Sequence, residues 1–248
     1  MANSLSFNGT DLSVYGITIT QAKIHQTAFN RDVTQLDTRA FASHGKREAR
    51  KISTEFVLVG SSLLDIHTRL ASIKRLLTTV ETGQLVFDFI HGIYYNAALD
   101  EIDAENLTQT SMSGVISFIC ADPYGYSTTE TDQTDNIDTD PTAVSITVGG
   151  SAIALPVYTL TAGESLSGPI SVKNNDTGEE LIWDNSLVDT DELEIDTEHW
   201  VVKKNGTESM TDVSGQFPRL LPGQDNHIVV TGFGTTGTLQ TVFHSRFI

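Results

Sequence analysis

Ile52-Ser53-Thr54-Glu55-Phe56-Val57-Leu58-Val59, then Gly60-Ser61, then Ser62-Leu63-Leu64-Asp65-Ile66-His67-Thr68-Arg69-Leu70-Ala71-Ser72-Ile73-Lys74-Arg75-Leu76-Leu77 is the stretch that decides the architecture of the first half of the chain. The first eight residues are rich in β-branched and aromatic types and read as a strand. The period then changes. Leu63, Ile66, Leu70, Ile73 and Leu77 recur at helical spacing and make one apolar stripe. Ser62 is placed to cap this helix, with Asp65 three residues on as a short capping box, and Gly83 marks the stop. Arg69, Lys74 and Arg75 occupy other faces, so the stripe reads as core packed on a sheet.

Strands extend from this centre in both directions. Asn8-Gly9 is a hairpin turn signal, and Gly16 precedes the alternating Ile17-Thr18-Ile19-Thr20. Leu85 to Ile90, His91-Gly92 and Ile93 to Leu99 read as strand, turn and strand. A further strand at Gly114 to Cys120 ends in the turn-rich Ala121-Asp122-Pro123-Tyr124-Gly125-Tyr126. Residues 1–126 are expected to form an α+β domain with one main helix. Residues 127–141 hold one large apolar residue, Ile137, in an acidic run and read as a linker or exposed arm. Residues 142–248 alternate short strands with turns such as Asn174-Asn175-Asp176-Thr177-Gly178 and Asn205-Gly206, which predicts a β-sandwich. The chain is therefore expected to be mainly β. The strand at Leu239 to Ile248 could stay in the sandwich or return to the first domain.

Charge separates the two halves. Residues 1–123 carry 10 Lys+Arg and 13 Asp+Glu, a net of −3; residues 124–248 carry 5 and 19, a net of −14. An acidic second half argues against phosphate or anionic membrane binding. No apolar run approaches the length of a membrane helix, and Met1 to Thr10 has neither a basic start nor an apolar core, so no signal peptide is expected and the protein is first used in a cytoplasm. His44-Gly45-Lys46-Arg47-Glu48-Ala49-Arg50-Lys51 is the one dense basic run, with Arg31 and Arg39 before it. It reads either as a docking loop for an acidic partner or as a charged strand edge that resists aggregation.

The search for chemistry returns no constellation. The seven histidines include no His-x-x-x-His pair, and there is no Gly-x-Ser-x-Gly elbow, Walker glycine loop or dinucleotide fingerprint. Asp189-Thr190-Asp191-Glu192-Leu193-Glu194-Ile195-Asp196 lacks the spacing of a calcium loop and reads as a solvated acidic face. Cys120 sits in an apolar run and reads as a small buried hydrophobe. Trp183 and Trp200 read as core or interface residues, with a sugar-stacking platform as the other possibility. No enzyme, cofactor or metal is expected.

Three stretches together resemble the distal tail protein family of long-tailed siphophages. They are Phe7-Asn8-Gly9-Thr10-Asp11-Leu12 with Tyr15-Gly16-Ile17; the run from Ile52 through Leu99 closed by Phe118-Ile119-Cys120-Ala121-Asp122-Pro123-Tyr124; and Ile170 to Gly178 with Leu193 to Asp196, Asn205-Gly206, Phe217-Pro218-Arg219-Leu220-Leu221-Pro222-Gly223 and Asn226. They follow one another in family order over nearly the whole chain. The resemblance implies a homo-hexameric ring of N-terminal domains around the tail channel, each bearing a galectin-like sandwich. It implies virion tail-tip location after assembly in the host cytoplasm. Implied partners are the major tail protein, the tape-measure protein, a tail-associated lysin or fibre protein and, in some cases, receptor-binding proteins; DNA passes through without specific binding. By the same resemblance, Arg39, Lys46, Arg47, Arg50 and Lys51 are candidate ring or tube contacts. The other readings are a carbohydrate-binding sandwich for host-surface adhesion and a different structural protein of the tail.

Overall fold

Asn8 and Gly9 both adopt positive φ, 48° and 75°, and turn Leu5–Phe7 back on Thr10–Asp11 as the dipeptide predicts. From this hairpin the N-terminal sheet continues, in spatial order, through Gly83–Phe87, Ile93–Glu105, Ser111–Cys120, Arg50–Val59 and Ile17–Ile24, with antiparallel neighbours throughout. This computed structural model describes residues 4–25, 29–30, 33–36, 39–42, 46–78, 80–105 and 107–248, with the side chains of 26–47 outside the description. The chain forms two compact units, Met1–Gly125 and Tyr126–Ile248.

Arg50–Val59 alternates buried and exposed along its length, so Ile52, Thr54, Phe56 and Leu58 all face the core. The helix Leu63–Thr78 covers that face with Ile66, Leu70, Ile73 and Leu77, all buried. Ser62 Oγ accepts from the Asp65 amide at 3.2 Å, the capping bond read from sequence. The reciprocal half of the box differs: Asp65 turns to the amide and hydroxyl of Ser61 and forms an ion pair with Arg69 one turn on, at 2.9 Å. Leu63, expected on the apolar stripe, is 46 % exposed. It is the first residue of the helix.

Ile93–Glu105 runs past the expected end at Leu99 to Glu105, and its second half pairs with Ser111–Cys120 across an irregularity between Leu99 and Glu101. Gly114 lets these strands approach: a Cβ there would lie 2.2 Å from the Asp103 carbonyl oxygen.

The C-terminal domain is a sandwich of two antiparallel sheets. One runs Thr131–Asn136, Gly237–Phe243, Val157–Ala162, Glu192–Asp196, Val201–Lys204, Thr207–Glu208; the other runs Thr142–Val148, Gln224–Thr231, Ile170–Asn174, Glu180–Trp183, Val213–Gly215. Their inner faces share one core built around Trp183, Tyr158, Leu160, Leu193, Val230 and Leu239. The stretch 127–141, expected to be a linker, contributes the edge strand Thr131–Asn136 of the first sheet. Composition hid it: no side chain of this strand is fully buried, and the strand is held by its backbone ladder to Gly237–Phe243. The expected strand from Leu239 to Ile248 divides into Gly237–Phe243, inside the sandwich between two neighbours, and the short Arg246–Phe247.

Candidate assembly surfaces

Five large apolar side chains stand exposed at one end of the N-terminal domain: Val14, Val59, Leu63, Leu64 and Leu107. Backbone bonds gather their segments. The Val59 amide donates to the Gly16 carbonyl at 3.1 Å, next to the 3-10 turn Leu12–Tyr15, and the Gly60 amide donates to the Thr110 carbonyl at 3.0 Å. Leu63 and Leu64, the latter 77 % exposed, open the helix that follows Gly60. Val80, Phe89 and Ile119 of the same domain are exposed as well, so these five are the members that neighbouring segments bring together, a candidate interaction surface. Sequence periodicity could not find it, because its members come from a strand end, a helix start and two turns.

The basic stretch predicted as a contact divides at Arg50. Arg39 pairs through its backbone with Leu36, and Lys46 and Arg47 pair with Asn30 and Phe29, while their side chains, like His44 and Gly45 altogether, lie outside the described residues. Arg50 is turned inward, 5 % exposed, with its guanidinium 5.5 Å from the Tyr95 ring centre. Burial pushes the Tyr95 hydroxyl up, and pushes the neighbouring buried Cys120 thiol up to about 11. Cys120 is thus a packed thiol, as expected. Lys51 points outward and forms an ion pair with Asp100 at 2.8 Å. Beyond Asp100 the same strand presents exposed Glu101, Asp103 and Glu105, so one domain carries a basic stretch and an acidic one.

In the C-terminal domain, several of the quoted motif residues converge on one buried polar lock. Asn226, fully buried, accepts from the Leu221 amide at 2.7 Å and the Asn174 side chain at 3.1 Å, and donates to the Leu221 and Gln224 carbonyls. Asn174 Nδ2 also donates to the Arg219 carbonyl at 2.6 Å. Glu179 accepts from the Arg219 amide and Nε, both at 2.9 Å, and pairs with its guanidinium. Phe217-Pro218-Arg219-Leu220-Leu221 is pinned in this way to the hairpin of Ile170–Asn174 and Glu180–Trp183. The Tyr158 hydroxyl, inside the core, donates to the Pro218 carbonyl at 3.2 Å.

The acidic face is structural. Asp191 receives the Val188 amide at 2.9 Å, the Asn205 amide group at 2.7 Å and the Lys204 ammonium at 3.0 Å, which hold its carboxyl at about 2. Burial raises Glu179 and Asp196, but the bonds from Arg219 and from His199 outweigh it and leave both below the ordinary carboxylate range. A group whose folded pKa is lowered stabilises the fold above its unfolded value, near pH 4, and loses that contribution as pH falls through the folded value. The C-terminal domain is therefore expected to lose thermal stability steeply below about pH 4, even though protonation also relieves its net charge. Thermal unfolding from pH 7 to 2.5 checks this; a midpoint unchanged down to pH 3 would remove these carboxylates from the account. Among the described residues no group of three or more His, Cys, Asp or Glu side chains is placed to hold a metal ion, and no helix is long and apolar enough to cross a membrane.

The two tryptophans part company. Trp183 is fully buried, its Nε1 donating to Ser209 Oγ at 3.1 Å. Trp200 is 70 % exposed and stacks on Phe217, ring centres 6.5 Å apart at 20°.

Comparison with known proteins places this architecture. Residues 149–246 match the family model described as the Siphovirus-type tail component, C-terminal domain. No curated protein sequence matches the chain. Among solved structures, the chain superposes on the crystal structure of SPP1 Dit (gp 19.1), described as a paradigm of the hub adsorption apparatus in Gram-positive infecting phages, with a TM-score of 0.78, 15 % identity and full coverage of both chains. A chain of the phage p2 baseplate in its activated conformation with Sr aligns with a TM-score of 0.48 and 10 % identity over 97 % of each chain.

Proposed function

We propose, from the premise that residues 149–246 belong to the family of Siphovirus-type tail component C-terminal domains, that this chain is a distal tail protein whose N-terminal domains close into a hexameric ring. The ring joins the tail tube to the baseplate or tail fibre, surrounds the channel through which DNA passes, and has no enzymatic part. Its place is the tail tip of the virion. Its partners are the major tail protein, the tape-measure protein and the tail-associated lysin or fibre protein, with receptor-binding proteins where the baseplate carries them.

The observation that carries the ring is the apolar end formed by Val14, Val59, Leu63, Leu64 and Leu107. A monomer gains nothing from leaving five large apolar side chains in water, whereas a ring contact buries them. Head-to-tail repetition about a closed axis brings two different faces of one domain together. The basic stretch of sequence that holds Arg39, Lys46, Arg47 and Lys51 and the acidic run from Asp100 to Glu105 supply opposite charges for such a contact, or for docking on the tube. Arg50, turned inward, is not itself a contact. The net of −3 in residues 1–123 suits a channel wall that does not grip DNA.

Negative-stain electron microscopy with light scattering tests the reading. Six-fold rings with an open centre, and a mass near six times 27.0 kDa, are expected. Monomers at high concentration that stay monomeric with tail-tube protein added would overturn it. Arg47→Glu combined with Lys51→Glu is expected to weaken ring or tube assembly; unaltered assembly would remove these two residues from the contact.

A further inference from the structure

We propose that the free face of Trp200 is a saccharide-stacking site that takes the apolar C–H face of a pyranose ring, separate from the contacts that assemble the ring. Trp200 closes the turn between Glu192–Asp196 and Val201–Lys204 with φ +58°, a conformation that glycine adopts freely and a bulky side chain does not. The turn is held in place around it. Asp196 Oδ1 accepts from the amides of Glu198 and His199, both at 3.0 Å, and its Oδ2 lies 2.7 Å from His199 Nδ1. The Thr197 amide and hydroxyl both donate to the Pro156 carbonyl, at 3.1 and 2.7 Å. One face of the indole is backed by Phe217, which is itself packed against the sandwich core, while the residue remains 70 % exposed. The result is an exposed aromatic plate carried on a hydrogen-bonded turn. A plate of this kind binds with little ordering cost.

The surroundings choose the ligand. A protein hot spot sits in an apolar patch ringed by residues that exclude water. Among the described residues of the C-terminal domain, the other exposed large apolar side chains are Val188 and Ile248 only. The exposed chain neighbours of the aromatic pair are Glu198, His199 and Gln216, while the apolar neighbours Val201 and Pro218 are half-buried and buried. An aromatic face bordered by hydrogen-bonding groups suits a sugar, whose ring presents C–H bonds on one side and hydroxyls at its rim.

The test applies the full-length protein, wild type and Trp200→Ala, to an array of immobilised oligosaccharides containing glucose, galactose, N-acetylglucosamine or rhamnose, with titration of each sugar bound. Wild type is expected to bind at least one of them and Trp200→Ala about tenfold or more weakly, with Trp200→Phe between them. Trp200→Ala is expected to unfold at no lower temperature than wild type, which separates lost stacking from lost fold. Ring formation should be unchanged in the variant, so this inference and the ring reading fail independently. Absence of binding by wild type, or equal binding by Trp200→Ala, would overturn the proposal. Loss of tail assembly in Trp200→Ala without sugar binding would also overturn it and assign the residue to a protein contact.

Discussion

Asn226→Ala is expected to lower the stability of the C-terminal domain by about 3–5 kcal/mol, the range set by removing four hydrogen bonds of a fully buried side chain at once. The side chain is fully buried and makes four hydrogen bonds, two as acceptor and two as donor. Alanine removes all four. The Leu221 amide and carbonyl, on a half-buried residue, lose these partners, and the fully buried Asn174 keeps only its bond to the Arg219 carbonyl from that nitrogen. At this domain size the loss corresponds to a fall in Tm of roughly 10 °C or more. Asn226→Asp should not rescue it: the acceptor remains, but both donated bonds go and a buried charge arrives. Differential scanning calorimetry of the whole protein would report it as an early transition. A double-mutant cycle with Asn174→Ala should show coupling, because the two amides bond each other at 3.1 Å. A loss under about 1 kcal/mol would mean that the lock closes the loop without holding the domain together.

The second large effect is on assembly. Val59→Asp with Leu64→Asp is expected to convert rings to monomers while the monomer keeps its fold. Both side chains are more than half exposed, 55 % and 77 %, so the change should move monomer stability by no more than about 0.5 kcal/mol. In a ring contact that buries both, the loss is roughly 3–6 kcal/mol for each interface, a hundredfold or more in dissociation constant. Light scattering reads the mass and circular dichroism reads the fold. Val188→Asp, at an exposed apolar position of the other domain, is the control and should leave rings intact. Rings that survive the double variant would place the ring contact elsewhere on the domain.

Much of this was legible in the residues. The helix was, because four of its five stripe positions are buried, and so were the Asn8-Gly9 and Asn205-Gly206 turns, because the backbone at each requires positive φ. What escaped was set by pairing partners rather than by side-chain pattern. Thr131–Asn136 has no buried apolar row, and its partner Gly237–Phe243 lies about a hundred residues away. The extension of Ile93–Glu105 beyond Leu99 is carried by acidic, exposed residues that no hydrophobic periodicity marks. Arg50 looked like one more exposed cation, yet the alternation of its own strand already assigned it the inward face. The two tryptophans could not be told apart by sequence, since Trp183 and Trp200 both sit beside strand residues.

The order of strands in the two domains also bears on synthesis. Every strand of the N-terminal sheet from Leu5–Phe7 to Ser111–Cys120 is available once residue 120 has been made. The sandwich cannot close at that stage. Its edge strand Thr131–Asn136 waits for Gly237–Phe243, and its polar lock waits for Asn226. During translation the strands from Leu5–Phe7 to Ser111–Cys120 can therefore pair while much of the second domain is still an acidic, unclosed chain. Because non-local pairings form slowly and leave strand edges open until they do, the net of −14 in residues 124–248 has a use before the protein is finished: nascent sandwiches on neighbouring ribosomes repel one another until their edges have found their own partners.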